Sequence, residues 1–183
     1  MLVIERTRYQ TMTNHIQCAL PLRFQITTGP DHDLSIEPAV AGDLAAIVQL
    51  LGRSGLDADG LEQHLDTTLV ARRNSQLVAS AGLELYGRQA LLRSVVVAPQ
   101  LQGTGLGRRM TGQVLALAQT RGITQVYLLT ETARDFFARF GFRLMERADV
   151  PHKVQLSQEF SMACAQNAVA MWAPLDDLLL GFK

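Results

Sequence analysis

Three glycines at alternate positions, Gly103, Gly105 and Gly107, stand just before Arg108 and Arg109. Glycine lets a backbone approach a ligand closely and take torsions that other residues avoid. The segment Gln102-Gly103-Thr104-Gly105-Leu106-Gly107 separates a strand-like run from a helix-like one. The first turn of a helix carries unpaired N–H groups and the positive end of the helix dipole. Together these features predict a site for a phosphate or pyrophosphate. Two familiar phosphate loops fail at defining positions. The dinucleotide fingerprint G-x-G-x-x-G would need glycine at Arg108 or Met110, and the Gly-Lys-Ser/Thr of a P-loop does not occur.

Two charged residues interrupt apolar strand-like runs upstream. Glu84 lies two residues before Tyr86, where partial burial would raise its pKa toward that of a useful proton acceptor. Arg93, followed by Ser94, would either hold a substrate carboxylate through paired N–H donors or form a salt bridge with Glu84. The cysteines do not suggest a nucleophile. Cys164 has His152 upstream but no histidine at a telling spacing, and it reads as a small apolar residue. His15, His32, His64 and His152 do not cluster, so no metal site is expected.

The elements that must position these residues follow from periodicity. Residues 1–34 are polar and aperiodic and read as a partly ordered extension, in which Met12 is an alternative start. Leu34–Pro38 reads as a short strand. Asp43 opens a helix with Leu44, Ile47, Val48 and Leu51 on one face. A short helix carrying Leu61 and Leu65 follows. Then come three strands, 68–72, 77–86 and 90–98, with turn residues at Asn74-Ser75 and Gly87-Arg88-Gln89, forming an antiparallel meander. A helix from about 105 to 121 has an apolar stripe and ends at Gly122, the place of a left-handed cap. Residues 123–129 read as a strand buried on both faces. Thr132, with Asp135, begins another helix in a capping-box-like arrangement. That helix carries Phe136, Phe137 and Phe140 and closes at Gly141. Strands at 142–145 and 168–172 and an acidic-apolar end complete a mixed α/β (α+β) order over residues 35–183.

Composition narrows the function. Lysine plus arginine balance aspartate plus glutamate at 17 each, which argues against a broad basic face for nucleic acid or an anionic membrane. No apolar run reaches the roughly 20 residues of a membrane span, and the N-terminus lacks the three-part layout of a secretory signal. Cys18 and Cys164 make neither a disulfide framework nor a zinc site, so the expected setting is the reducing cytoplasm.

Gln102, Gly105 and Gly107 match Gln/Arg-x-x-Gly-x-Gly/Ala, the pyrophosphate loop of the GNAT acetyltransferases, and the chain order from about 34 to 174 resembles theirs. Leu91–Val97 before Pro99 is similar to the fourth strand of that fold. Thr132–Phe142, with its Gly141-Phe142, is similar to a later motif. The resemblance implies a mixed central sheet with helices on both faces and a splayed pair of strands holding acetyl-CoA as co-substrate, with no metal. It implies that Gln102, Gly103, Thr104, Gly105, Leu106, Gly107 and Arg108 hold the pyrophosphate, Arg109 being a further contact. Val95, Val96 and Val97 would face the acetyl group and pantetheine. It also implies direct transfer to an amine in a ternary complex. Because roughly one alkylamine in a thousand is neutral at pH 7, a proton acceptor is needed. Glu84 is the first candidate, and Arg93, Ser94, Thr130 and, lower, Glu131 would face the same cleft. The family's tyrosine four residues before Gly141 is here Phe137, which cannot donate a proton. Phe137 reads as core, lining the pantetheine at most.

Two stretches refine the resemblance. Tyr127–Ala133 with Phe136-Phe137, and Ser157-x-Glu159-Phe160 with Cys164 and Ala168-Val169-x-Met171, are similar to segments of arsenic-resistance-associated GNAT proteins. Ala165 and Asn167 depart from the proline and serine of that pattern. The same regions are more distantly similar to the acetyltransferase domain of N-acetylglutamate synthases. Both imply a small amine substrate that is an acidic amino acid or its analogue, and Arg93 would suit its acid group. The alternatives are a biosynthetic glutamate N-acetyltransferase, a protein acetyltransferase, and a non-catalytic acyl-CoA-binding or sensing domain that the loss of the tyrosine would suit. Many members form dimers, and the sequence leaves a homodimer open.

Overall fold

Two tight turns set the first half of the sheet in the computed structural model, which describes residues 33–161 and 167–180. Asn74 and Ser75 both take positive φ, 50° and 65°, as a two-residue type I′ turn requires. They join β2 (Thr68–Arg73) to β3 (Gln76–Tyr86). Gly87, with φ 71°, begins the turn into β4 (Gln89–Val97). With β1 (Leu34–Pro38) paired to β2, these strands form the expected antiparallel meander.

The chain then crosses through α2 (Leu106–Thr120), preceded in sequence by α1 (Leu44–Arg53), and returns as β5 (Gln125–Thr130) parallel to β4. α2 stops where Gly122 takes φ 72° and the N–H groups of Gly122 and Ile123 bond back to Gln119 and Ala118, a Schellman closure. β6 (Arg143–Met145) and β7 (Val169–Pro174) complete a seven-stranded sheet in the order β1-β2-β3-β4-β5-β7-β6.

The sheet is buried on two faces. Val126 and Leu128 join Ile47, Leu51, Leu83, Leu92, Met110 and Leu115 in the main core under α1 and α2. Tyr127 and Leu91 point the other way, to Val150, Val154 and Ala170. The period of two along β5 thus feeds two cores, as its continuous apolar run predicts.

Asp43 is the N-cap of α1, as expected, and also ends a 3₁₀ turn (Ala41–Asp43), where its carboxylate accepts from the Val40 N–H at 3.0 Å and from Arg72. Elsewhere the structure differs from expectation. The Thr132–Asp135 capping box does not form. α3 spans Arg134–Ala138, and Thr130 Oγ1 accepts from the Ala133 N–H at 3.0 Å, because the end of β5 reaches that turn first. Three short helices were not anticipated: α4 (His152–Gln155), α5 (Gln158–Ser161) and α6 (Leu175–Leu180), the last burying Leu175 and Leu178. The extension with Met12, His15, Cys18 and His32, and the segment with Cys164 and Ala165, lie outside the described residues. No described helix is long and apolar enough to cross a membrane.

Gly82 lies in β3 opposite Thr68 of β2 and Arg93 of β4. A Cβ there would come within 2.6 Å of Thr68 Oγ1, which donates to the His64 carbonyl at 2.8 Å. Gly82→Ala is therefore expected to cost ~1–3 kcal/mol by overpacking. In thermal denaturation, adding Thr68→Ala should recover part of that loss, a non-additivity that independent sites would not give.

Candidate active site

The glycine loop is tied down from both ends. After β4, Pro99–Leu101 forms a 3₁₀ turn. Gln102 Nε2 donates to the Val97 carbonyl at 3.1 Å, and Thr104 Oγ1 donates to the Leu101 carbonyl at 2.7 Å. Gly103 and Gly105 have φ of 77° and 88°, and a Cβ at either would meet nothing within 4 Å. The backbone conformation, not crowding, calls for glycine here. Gly105 is the N-cap of α2 and no side chain caps the helix, so the N–H groups of its first turn are left for an anion. Leu106 is buried and anchors that turn, so its contribution to a ligand is its backbone. Gly107 faces Phe136 and Val97, each about 3.5 Å from where its Cβ would be. Arg108 and Arg109 are exposed, and the Arg108 guanidinium lies 5.7 Å from the Phe140 ring centre.

Opposite the loop, β4 and β5 part. Their pairing runs only from Gln89 with Gln125 to Leu92 with Leu128. β4 continues through Arg93–Val97 beside β3 alone, while Leu129 and Thr130 pair with β7. The cause is a bulge. Gly82 pairs with Arg93 but Ser80 pairs with Val96, so Ser94 and Val95 together oppose Ala81, and Ser94 takes φ 54°. An extra residue bends a strand and increases its twist. Ser80 Oγ donates to the Ser94 carbonyl at 2.9 Å and holds the bulge. Val95, Val96 and Val97 thus present one backbone edge to an opening in the middle of the sheet.

Beneath the bulge lies a polar cluster. Arg93 and Glu84 are each 2% exposed. Arg93 Nη1 donates to Glu84 Oε1, Nη2 donates to the Asp59 carbonyl at 2.6 Å, and Nε donates to Ser94 Oγ at 3.3 Å. The other Glu84 oxygen accepts from the Tyr86 hydroxyl at 2.5 Å and lies 3.8 Å from His64 Nε2. Burial, then the Glu84 carboxylate, pushes the Tyr86 phenol well above its usual range, so it stays protonated. The guanidinium expected to hold a substrate acid is thus committed to an internal one, the salt bridge that the sequence left as the other choice. A buried arginine without a partner would be too costly. Glu84, expected as base, has both oxygens occupied. Ser94 serves the bulge, and Thr130 receives the Ala133 N–H.

One residue falls where the sequence reads it, and one was missed. Phe137 is core, packed edge-to-face on Phe136 and Phe142, with ring centres 5.0 and 5.8 Å away. Phe136 is its half-buried neighbour at the loop. In the sequence Glu159 stands out only as part of Ser157-x-Glu159-Phe160. The structure brings its Oε1 to 3.9 Å from Arg93 Nε. Burial raises its carboxyl to about 7, Arg93 opposing the shift and Glu84 and Asp57 adding to it. The signal that could have marked it is a lone carboxylate just before an aromatic, Phe160, that packs under the sheet.

Residues 64–144 match the acetyltransferase (GNAT) domain. The N-acetylglutamate synthase of Neisseria gonorrhoeae, solved with coenzyme A and N-acetyl-glutamate, aligns with a TM-score of 0.68 at 21% identity, over 78% of this chain and 35% of that one. The fold is a GNAT fold. A Mycobacterium tuberculosis protein solved with CoA aligns with a TM-score of 0.65 at 22% identity, over 76% of this chain and 98% of its own. In sequence, the amino-acid acetyltransferase of Pasteurella multocida is 26% identical over 132 residues, 67% of this chain. That match covers 30% of the relative, so the chain spans under a third of that protein's length. In this GNAT fold, the parted strands and the uncapped helix start face one another across the glycine loop.

Removing one member of a buried ion pair strands the other charge, at a cost of about 3–5 kcal/mol. Glu84→Leu should therefore lower unfolding free energy in urea by about that amount. Glu84→Leu with Arg93→Met should cost much less. An additive double variant would show that the two side chains are not one unit.

Proposed function

We propose that this chain is an acetyl-CoA-dependent N-acetyltransferase for a small amino-acid-like amine, transferring directly within a ternary complex. The observation that carries the reading is the parting of β4 from β5 opposite an uncapped helix N-terminus. The α2 start, with Gly103, Thr104, Gly105, Leu106, Gly107 and Arg108, would take the pyrophosphate. The pantetheine arm would lie along Val95–Val97 as an added strand, with Phe136 beside the loop. The outward N–H groups of that edge would polarise the thioester carbonyl, where fixed dipoles cost little reorganisation.

The acceptor would enter beside the polar cluster. It holds the carboxylates Glu84 and Glu159 against the single guanidinium of Arg93, a balance that draws an ammonium group. The names of the sequence relatives support an amino-acid acceptor. The finer reading, glutamate or a phosphinate or arsinate analogue of it, rests on the resemblance of the segments Tyr127–Phe137 and Ser157–Phe160.

Two measurements test this. Thiol release from acetyl-CoA should occur with an acidic amino acid or its phosphinate analogue, give a product heavier by one acetyl group, and be weak with polyamines and a lysine peptide. Release with none of them, while acetyl-CoA still binds, would sink the enzyme reading in favour of a sensing domain. Gly105→Val forces a β-branched residue to φ 88°, a conformation costing ~1–2 kcal/mol. Calorimetric acetyl-CoA affinity should fall about tenfold as the first-turn N–H groups turn away.

A further inference from the structure

The cluster beneath the bulge is not evenly filled. Arg93 gives Nη1 to Glu84 and Nη2 to the Asp59 carbonyl, so both terminal nitrogens are bonded. Glu159 meets only the Nε side, at 3.9 Å, and among the described residues no hydrogen bond reaches its carboxylate. Its side chain is 21% exposed against 2% for Glu84, so Glu159 is the more accessible of the two carboxylates. The same Nε donates to Ser94 Oγ, and Ser94 is the bulge residue immediately before Val95, where the open edge begins.

The turn that carries Glu159 is fixed in place. Ser157 Oγ accepts from the Phe160 N–H at 3.2 Å, and its hydroxyl also reaches the Tyr86 phenol. Tyr86 in turn donates to Glu84. A chain of polar contacts thus runs from α5 through β3 to Arg93 on β4. Among the described residues, the charged groups around Glu159 are Arg93 from β4, Glu84 from β3 and Asp57 from the segment before the 3₁₀ turn at 61–67. His64 on that turn faces Glu84. Among the described residues, one cation among several acids leaves Glu159 short of a partner.

We propose that Glu159 is the general base that takes the proton of the acceptor amine. This rests on the acetyltransferase reading and deepens it. The acceptor ammonium gives one N–H proton to the Glu159 carboxylate and becomes a neutral amine. Its lone pair forms the N–C bond at the thioester carbonyl. The C–S bond then breaks with its electron pair leaving on the CoA sulfur. The second amine proton goes to that thiolate, and Glu159 returns its proton to solvent. Arg93, Tyr86 and Ser157 are positioning residues for this step. A carboxyl titrating near 7 suits the work, because it is ionised about half the time at neutrality and still basic enough to accept.

The test compares wild type, Glu159→Gln and Glu159→Asp with the acceptor that wild type turns over. Loss of a general base lowers kcat/KM about 100-fold or more. The Gln variant should lose that much, and lose the limb of the wild-type kcat/KM profile near pH 7, while acetyl-CoA affinity is unchanged. Glu159→Asp should keep the limb and recover part of the rate. A readout independent of activity exists. A carboxyl raised from 4.5 to about 7 on folding stabilises the fold below its unfolded pKa, and that contribution is lost as pH rises through about 7. Relative to wild type, Glu159→Gln should thus be more stable at about pH 8 than at about pH 4 in denaturant titrations. A Gln variant within about threefold of wild type, with the pH limb intact, overturns the assignment. Absence of turnover by wild type with every amine overturns the acetyltransferase reading itself, and this inference with it.

Discussion

An unpaired strand edge in the middle of a sheet is the constraint on which this structure turns. Backbone N–H and C=O groups need partners, and an interior edge left bare is normally closed by the next strand. Here β4 and β5 begin as partners and are forced apart after Leu92 and Leu128. The force is local. One extra residue at Ser94 bends β4 toward β3, and Ser80 bonds the Ser94 carbonyl to keep it there. β5 takes its own second partner from β7 out to Thr130, so neither strand needs the other beyond the branch. The main core under α1 and α2 holds the base of both strands. The opening is therefore built by rigid elements and does not depend on a loop.

The bulge also explains the charge beneath it. Pushing β4 sideways leaves room on the second face of the sheet, and Arg93 fills it. A buried guanidinium must satisfy several donors at once. It does so with Glu84 across the ladder, the Asp59 carbonyl from the segment ahead of the 61–67 turn, and Ser94 next to it in sequence. Each partner comes from a different element, so Arg93 pins the 61–67 region to the sheet. The cost is desolvation, which Coulomb attraction in such a site only about offsets. What the arrangement adds is position. It fixes the bulge, and it gathers Glu84 and Glu159 around one guanidinium.

Much of this was legible in the sequence, and the part that was not has a common reason. The hairpins at Asn74-Ser75 and Gly87 were readable because positive φ selects a few residue types. α2 was readable from its apolar stripe and Gly122, and β5 from a run too apolar for a half-exposed strand. The bulge was not. It uses Ser94, with no glycine to mark its positive φ. α4 and α5 span four residues each, too few for a 3.6-residue period to show. Phe136 and Phe137 are neighbours on a short helix, so spacing could not decide which faces the loop and which the core. Glu159 was hidden for the same reason as α5, since its importance comes from what β3 and β4 bring to it.

The absence of a tyrosine at position 137 is then less of a deficit than the resemblance suggested. Phe137 sits among Phe136 and Phe142 in the core, where a phenol hydroxyl would need a partner that these rings do not offer. On the acetyltransferase reading, the group that must leave is a thiolate, whose conjugate acid has a pKa near 8.5, about the value of a free cysteine. Such a leaving group departs readily near neutrality. The nitrogen of the tetrahedral intermediate still holds a proton and is far more acidic than the parent ammonium, so it can supply the sulfur. The proton that matters is the first one, on an amine with a pKa near 10. On that reading, the chemistry is limited by a proton acceptor rather than a proton donor. Of the two carboxylates beside Arg93, Glu84 is locked to it, while the partly exposed Glu159 meets it only at 3.9 Å.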